Sequence, residues 1–341
     1  MKFLRWTGIA LILLIILYFI GPKPSSPHYT TQLPTIPSQL DSVERYVSTC
    51  ESKFPLKADN EARIVWANDS IKSKTEYAVV YLHGFSASQE EGDPVHRYFS
   101  WTFGCNLYLS RISDHGIRTD EQLLHYTAER AWTSAKEAFA IGKQLGKKVI
   151  LMATSTGGTL ALKLAAEYPE IAGLILLSPN IAINDPLAWV ANNHWGLQIA
   201  HLAQGKYYTS SDSSDLYKQY WSYKYRMEAI VQMQELLETT MKAATFEKIR
   251  QPTLVLYYYK DDDHQDEVVK VSAMKRMFHQ LGTPDSLKKL VAIPNAGDHV
   301  IGSYIKSKDV HSVIMECTRF GAHTLKLPLN ERSEFNRGIN P

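Results

Sequence analysis

VILMATSTGGTLAL, residues 149–162, decides how this chain folds. Apolar residues run straight into three adjacent hydroxyls, Thr154, Ser155 and Thr156, followed by two glycines and a second apolar stretch. A segment apolar at every position reads as a strand buried on both faces, and GGTLALKLAAEYP (157–169) reads as a helix closed by Pro169. Between them the chain must turn sharply within ATSTGG (153–158). A strand–turn–helix with small residues two before and two after a serine is the setting of an exposed nucleophile. Ala153 and Gly157 hold those places around Ser155. Neither threonine is so flanked; Thr156 would have Thr154 and Gly158. The plainer reading of the same hydroxyls is a polar helix cap.

Outward from this stretch the elements alternate. YAVVYLHG (77–84), CNLYLSRI (105–112), KKVILMA (147–153), AGLILLSP (172–179), PTLVLYYY (252–259) and KKLVAIP (288–294) read as strands. Helical spacing marks 120–145 and a segment near 267–281. Strands alternating with helices predict an α/β fold, a mostly parallel sheet covered on both faces. The rhythm breaks over 181–245, too long for a connection between neighbours. That stretch is rich in Trp and Tyr and ends in a helical stripe of Met227, Ile230, Val231, Leu237 and Met241. It reads as a helical insertion laid over the strand ends. Most of its aromatics are expected to be packing, a few the wall of a pocket.

Composition excludes several classes. Of 341 residues, 45% are hydrophobic and 21% charged, enough for a sizeable core, and a net charge of +2 gives no reason to expect nucleic acid. Cys50, Cys105 and Cys317 form neither a disulfide framework nor a zinc pattern, although one pair could bridge in an oxidising compartment. The N-terminus differs from the rest. Lys2 and Arg5 precede an uncharged apolar stretch from Trp6 to Ile20, which Pro22 and Pro24 stop. Residues 1–22 are therefore expected to be a membrane anchor or signal segment, with 23–40 as linker. The basic flank predicts a catalytic domain held outside the cytoplasm, or a secreted or periplasmic one if the segment is cleaved. The main folded domain is expected over 41–325, followed by a tail over 326–341.

A serine hydroxyl needs a base, and the base an orienting carboxylate; in this strand–turn–helix setting the chain order is Ser, acid, His. His299, in AIPNAGDHVIG just past the last expected strand, stands where the base belongs. The acid should follow the fifth strand, where KDDDHQDEVVKVSAMK offers several carboxylates. Asp266 is preferred because Val268 and Val269 open the next helix; Asp262 and Asp263 are alternatives. An oxyanion hole needs two backbone N–H groups, one after the nucleophile and one from the loop after an early strand. Thr156 and Phe85, the latter in LHGFSAS (82–88), are the expected pair. His83 reads as a loop-shaping histidine with its hydrogen bonds satisfied.

Together YLHGF, ATSTGG, SRISDHG (110–116), the DEVV after PTLVLYYY, and GDH near the end resemble the α/β-hydrolase superfamily over about residues 77–310. The nearest likeness is to the serine aminopeptidase-like, lysophospholipase and monoacylglycerol lipase-like hydrolases. The resemblance implies about eight mostly parallel strands, a helical cap over 181–245, a Ser155–Asp266–His299 triad and acyl transfer without cofactor or metal. Two departures stand out: Ala153 in place of the elbow's first glycine, and an extended acid loop. The expected activity is hydrolysis of a carboxylic ester, with a small or lipid-derived ester as substrate. A peptidase or amidase on the same triad, or a membrane-tethered binding protein on a hydrolase scaffold, are the alternatives.

Overall fold

The computed structural model describes residues 2–330. The chain runs through helices α1 (Lys2–Phe19) and α2 (Leu40–Glu51), strands β1 (Arg63–Val65) and β2 (Thr75–Leu82), helix α3 (Val95–Thr102) and strand β3 (Asn106–Leu109). Then come α4 (Ala128–Leu145), β4 (Gly146–Thr154), α5 (Thr156–Glu167) and β5 (Gly173–Leu177). The insertion holds α6 (Gly196–Gln204), β6 (Tyr207–Thr209), α7 (Asp215–Tyr220), β7 (Lys224–Arg226) and α8 (Met227–Thr240). The remainder is α9 (Ala243–Phe246), β8 (Thr253–Tyr257), α10 (Val271–Gln280), β9 (Lys288–Ala292) and α11 (Val310–His323).

The main sheet has seven strands in the order β1-β3-β2-β4-β5-β8-β9. All neighbours run parallel except β1, which pairs antiparallel with β3. The six strands read from sequence are all present. The expectation of about eight becomes seven among the described residues, and the edge strand β1, only three residues long, was too short to stand out in the sequence. Alternation explains why the central strands are apolar throughout. Ala78, Val80, Leu82, Val149, Leu151 and Ala153 face one core with residues of α4 and α5. Val79, Tyr81, Ile150, Met152, Ile175 and Leu177 face the other with residues of α3 and α11. Period-two side chains on a sheet covered by helices on both sides leave no solvated face for a polar residue.

The insertion is only partly helical. Strands β6 and β7 form an antiparallel hairpin, Tyr208 opposite Tyr225, that helical periodicity could not foresee. The cysteines are free thiols; Cys105 and Cys317 are buried and Cys50 half-buried.

The expected membrane anchor requires correction. Among the described residues, no helix is long and apolar enough to cross a membrane. Helix α1 has 18 residues, and its uncharged part from Trp6 rises only about 21 Å against about 30 Å of hydrocarbon. Its last turn leans on the insertion, where Trp195 Nε1 donates to Leu17 O at 2.9 Å and the Tyr18 ring lies 5.3 Å from that of His194. The proline-rich stretch after it is fastened along the body. Trp132 Nε1 donates to Thr30 O at 2.7 Å, Tyr168 Oη to Thr31 O at 2.6 Å, and Lys136 Nζ to both Thr30 Oγ1 and Gln32 O. The expected tail from 326 is described only as far as Asn330.

Candidate active site

Parallel strands bring their C-terminal ends to one edge, and the connections leaving that edge converge above it. Ser155 follows β4, Asp266 lies in the connection after β8, and His299 in the one after β9. Residues 33 to 144 positions apart in sequence are thus carried to one edge by topology.

Ser155 sits between β4 and α5 with φ 52° and ψ −121°, a left-handed conformation unusual for a residue with a Cβ. Surrounding structure holds it there. Its N–H donates to Leu177 O at 3.0 Å on β5, and its carbonyl accepts from the N–H groups of Gly158, Thr159 and Asn180. Gly157 shows why the turn needs glycine: a Cβ there would lie 2.0 Å from Leu82 O and 2.7 Å from His83 O. The start of α5 therefore presses directly on the loop after β2, which brings Thr156 close to the loop that carries Phe85. Ala153 is fully buried within β4, so the position needs a small residue but not the freedom of glycine.

Asp266 and His299 are brought together. His299 Nδ1 hydrogen-bonds Asp266 Oδ2 at 2.7 Å, and Asp266 Oδ1 accepts from the N–H groups of Val268 and Val269, each at 2.9 Å. Asp266 is 1% exposed and the His299 side chain 9%. Burial lowers the His299 pKa, but the Asp266 charge and hydrogen bond, with Glu91 and Asp298 behind them, outweigh it and raise it above the usual histidine value. The alternative acids lie elsewhere. Residues 259–265 form a small loop closed by a Tyr259–Gln265 bridge, with Asp262 accepting from Tyr259 Oη and Asp261 paired with His264; residues 260–264 are exposed to solvent. The acid loop is extended, as its composition suggested, and the extension carries the spare carboxylates away from His299.

The loop after β2 is built by two buried histidines. His83 Nε2 accepts from Ile112 N–H at 3.0 Å, so its proton lies on Nδ1, which donates to Gly84 O at 2.9 Å. His115 Nε2 accepts from Ser86 N–H at 3.0 Å and Nδ1 donates to Ser113 O. Burial holds both neutral, pushing His83 down to about 4 and His115 well below its usual value. His83 is the satisfied loop histidine expected. His115 was visible in SRISDHG only as part of a family likeness; its partnership with Ser86 spans too much sequence for spacing to show. A second residue that sequence missed is Glu91. It is 2% exposed, and its Oε2 accepts from Gly84 N–H at 2.5 Å. A glutamate in QEEGD reads as a solvated charge, and nothing local distinguishes it.

The insertion walls this edge. Phe85 packs edge-on against Tyr225 and Tyr126, with ring centres 5.3 Å apart in each pair, and Tyr225 stacks on Tyr208. Trp221 stacks on Tyr217 and clusters with Ala87 and Val300, one residue from each flanking loop.

Residues 135–297 match the family described as serine aminopeptidase S33. A curated relative, a thermostable monoacylglycerol lipase from Bacillus sp. (strain H-257), is 26% identical over 191 residues, which is 54% of this chain and 70% of the relative. Among solved structures, a chain from a study of LipS and LipT, two metagenome-derived lipolytic enzymes, superposes with a TM-score of 0.61 at 16% identity, covering 78% of this chain and 98% of that one. The Paleococcus ferrophilus monoacylglycerol lipase gives a TM-score of 0.53 at 16% identity, covering 76% and 98%. Likenesses at that identity speak to fold.

Proposed function

The chain is an α/β-hydrolase similar to the serine aminopeptidase S33 family, and from that premise we propose that it hydrolyses carboxylic esters through an acyl-enzyme on Ser155. The observation that carries this reading is a serine held at positive φ on the strand edge that also bears a 2.7 Å His299–Asp266 pair. A strained serine of this kind is costly, by about 1–3 kcal/mol, and such strain clusters at functional sites.

In the proposed reaction His299 takes the Ser155 proton through Nε2 as the oxygen attacks the ester carbonyl carbon. Asp266 fixes the tautomer, its second oxygen held by the Val268 and Val269 N–H groups. The N–H groups of Phe85 and Thr156 receive the oxyanion, with α5 adding the positive end of its dipole. His299 then protonates the leaving alcohol, and water repeats the sequence on the acyl-enzyme. Support for an ester comes from the lipases and esterases among the similar proteins and from the aromatic wall of Phe85, Tyr225, Tyr208 and Trp221, which suits an apolar acyl group.

The test is fluorophosphonate labelling of the full chain beside Ser155→Ala and His299→Ala, followed by p-nitrophenyl esters of rising acyl length and the matching anilides. Labelling of the wild type that both substitutions abolish is the expected result, with ester turnover about 10³-fold or more above either variant. A folded wild type that does not label overturns the reading; faster anilide than ester turnover moves it to an amidase.

A further inference from the structure

Glu91 is a buried carboxyl that the triad does not use. It lies in a short, buried 3-10 turn, Gln89–Gly92, within the connection after β2. Its Oε2 accepts from Gly84 N–H, and a Cβ on Gly84 would meet both Glu91 oxygens, at 2.8 and 2.9 Å, and Ser155 Cβ at 2.9 Å. Carboxyl and nucleophile therefore flank one glycine. On another side the loop after β9 closes over the same turn: a Cβ on Gly302, three residues beyond His299, would lie 3.5 Å from Glu91 O. The neighbouring acids point elsewhere. Glu90 accepts from Tyr304 Oη at 2.8 Å, and Asp93 pairs with Arg97.

We propose that Glu91 is a positioning residue of this active site: its carboxylate fixes the Gly84 peptide of the oxyanion loop and supplies, beside Asp266, a second negative charge that holds His299 as the imidazolium formed when Ser155 gives up its proton. This rests on the Ser155 reading above. The titratable groups facing Glu91 are His299 and Asp298 from the loop after β9, Tyr81 from β2 and Tyr217 from α7. Burial pushes Glu91 up to about 7; the Gly84 N–H and His299 pull it down, and Asp298 pushes it further up. Glu91 in turn is among the charges that raise His299. The two groups titrate as a coupled pair. The active form has His299 neutral and Glu91 ionised, so the acid side of the kcat/KM profile should take up two protons.

Glu91→Gln keeps an oxygen acceptor for Gly84 N–H and removes only the charge. The expected result is a one-proton acid limb displaced about one pH unit downward, and a kcat on the plateau about tenfold lower with KM unchanged. The His299 Nδ1 proton, followed by NMR in full-length protein without substrate, should titrate about one unit lower in the variant. Glu91→Ala also frees the Gly84 peptide and should cost about a further tenfold in kcat. A Glu91→Gln protein with wild-type melting temperature, an unshifted acid limb and an unshifted His299 titration overturns the proposal and leaves Glu91 as packing. The NMR titration separates the two readings: it reports the Glu91–His299 coupling even if the wild type fails to label at Ser155.

Discussion

At the residue scale, single atoms decide the site. Gly157 is required by backbone oxygens that cannot move aside, so Gly157→Ala should destabilise the fold by about 3 kcal/mol and abolish labelling of Ser155, as urea unfolding and the fluorophosphonate assay would read. The proposed acid is equally specific. Asp266→Asn should lower kcat by about 10³-fold or more by spoiling the His299 tautomer, whereas Asp262→Asn and Asp263→Asn, on the exposed loop tip, should leave kcat unchanged. His83 gives a pH signature. Folded, it takes a proton only near pH 4; unfolded, near 6.5. The unfolded chain therefore binds more protons between those values, and stability falls as pH drops through that window, by up to about 3 kcal/mol. Urea unfolding at pH 7 and 4.5 should show this slope in the wild type and less of it in His83→Asn. The comparison cancels Glu91, whose raised pKa has the opposite sign, its stability present at low pH and lost as pH rises towards 7.

At the element scale, the insertion meets the loops after β2, β8 and β9 through aromatic faces and a few backbone hydrogen bonds, among them Ser222 N–H to Ser86 O. Tyr225 joins the β6–β7 hairpin to Phe85 on one side and Tyr208 on the other. Tyr225→Ala should cost about 3 kcal/mol of stability and raise KM for long-chain esters more than for short ones, measured by thermal unfolding and an acyl-length series. The strands of the main sheet were legible because burial on both faces leaves a continuous apolar run. The hairpin was not, because three-residue strands pairing with each other set no periodicity. Helix α2 was obscured by its mixed composition, half-buried or exposed, with only Val43 and Val47 fully inside.

At the scale of the whole molecule, the segment that proline and serine mark as linker behaves as a strap. Residues 29–33 bind α4, α5 and α8 through Tyr29, Thr30, Thr31 and Gln32, and Lys163 lies 4.5 Å from the Tyr29 ring centre. Deleting residues 1–22 should leave the melting temperature close to wild type, because the side chains of α1 from Arg5 to Phe19 are exposed and it meets the insertion at its last turn. Deleting residues 1–40 should lower it by about 5 °C or more, since the buried Trp132 and Tyr168 lose hydrogen-bond partners.

The sequence by itself determined the parallel α/β fold, the elbow at Ser155 and the position of His299. Each is a local pattern: an apolar run, small residues at fixed spacing, or a loop just past a strand. Tertiary structure decided what depends on contact across the chain. It paired Asp266 rather than Asp262 or Asp263 with His299, set His115 and Glu91 against the start of the loop after β2, paired two three-residue strands of the insertion as a hairpin, and laid residues 29–33 against three helices. Hydrogen-bond partners and burial join residues tens to hundreds of positions apart, and periodicity along one segment carries no record of what another brings to it.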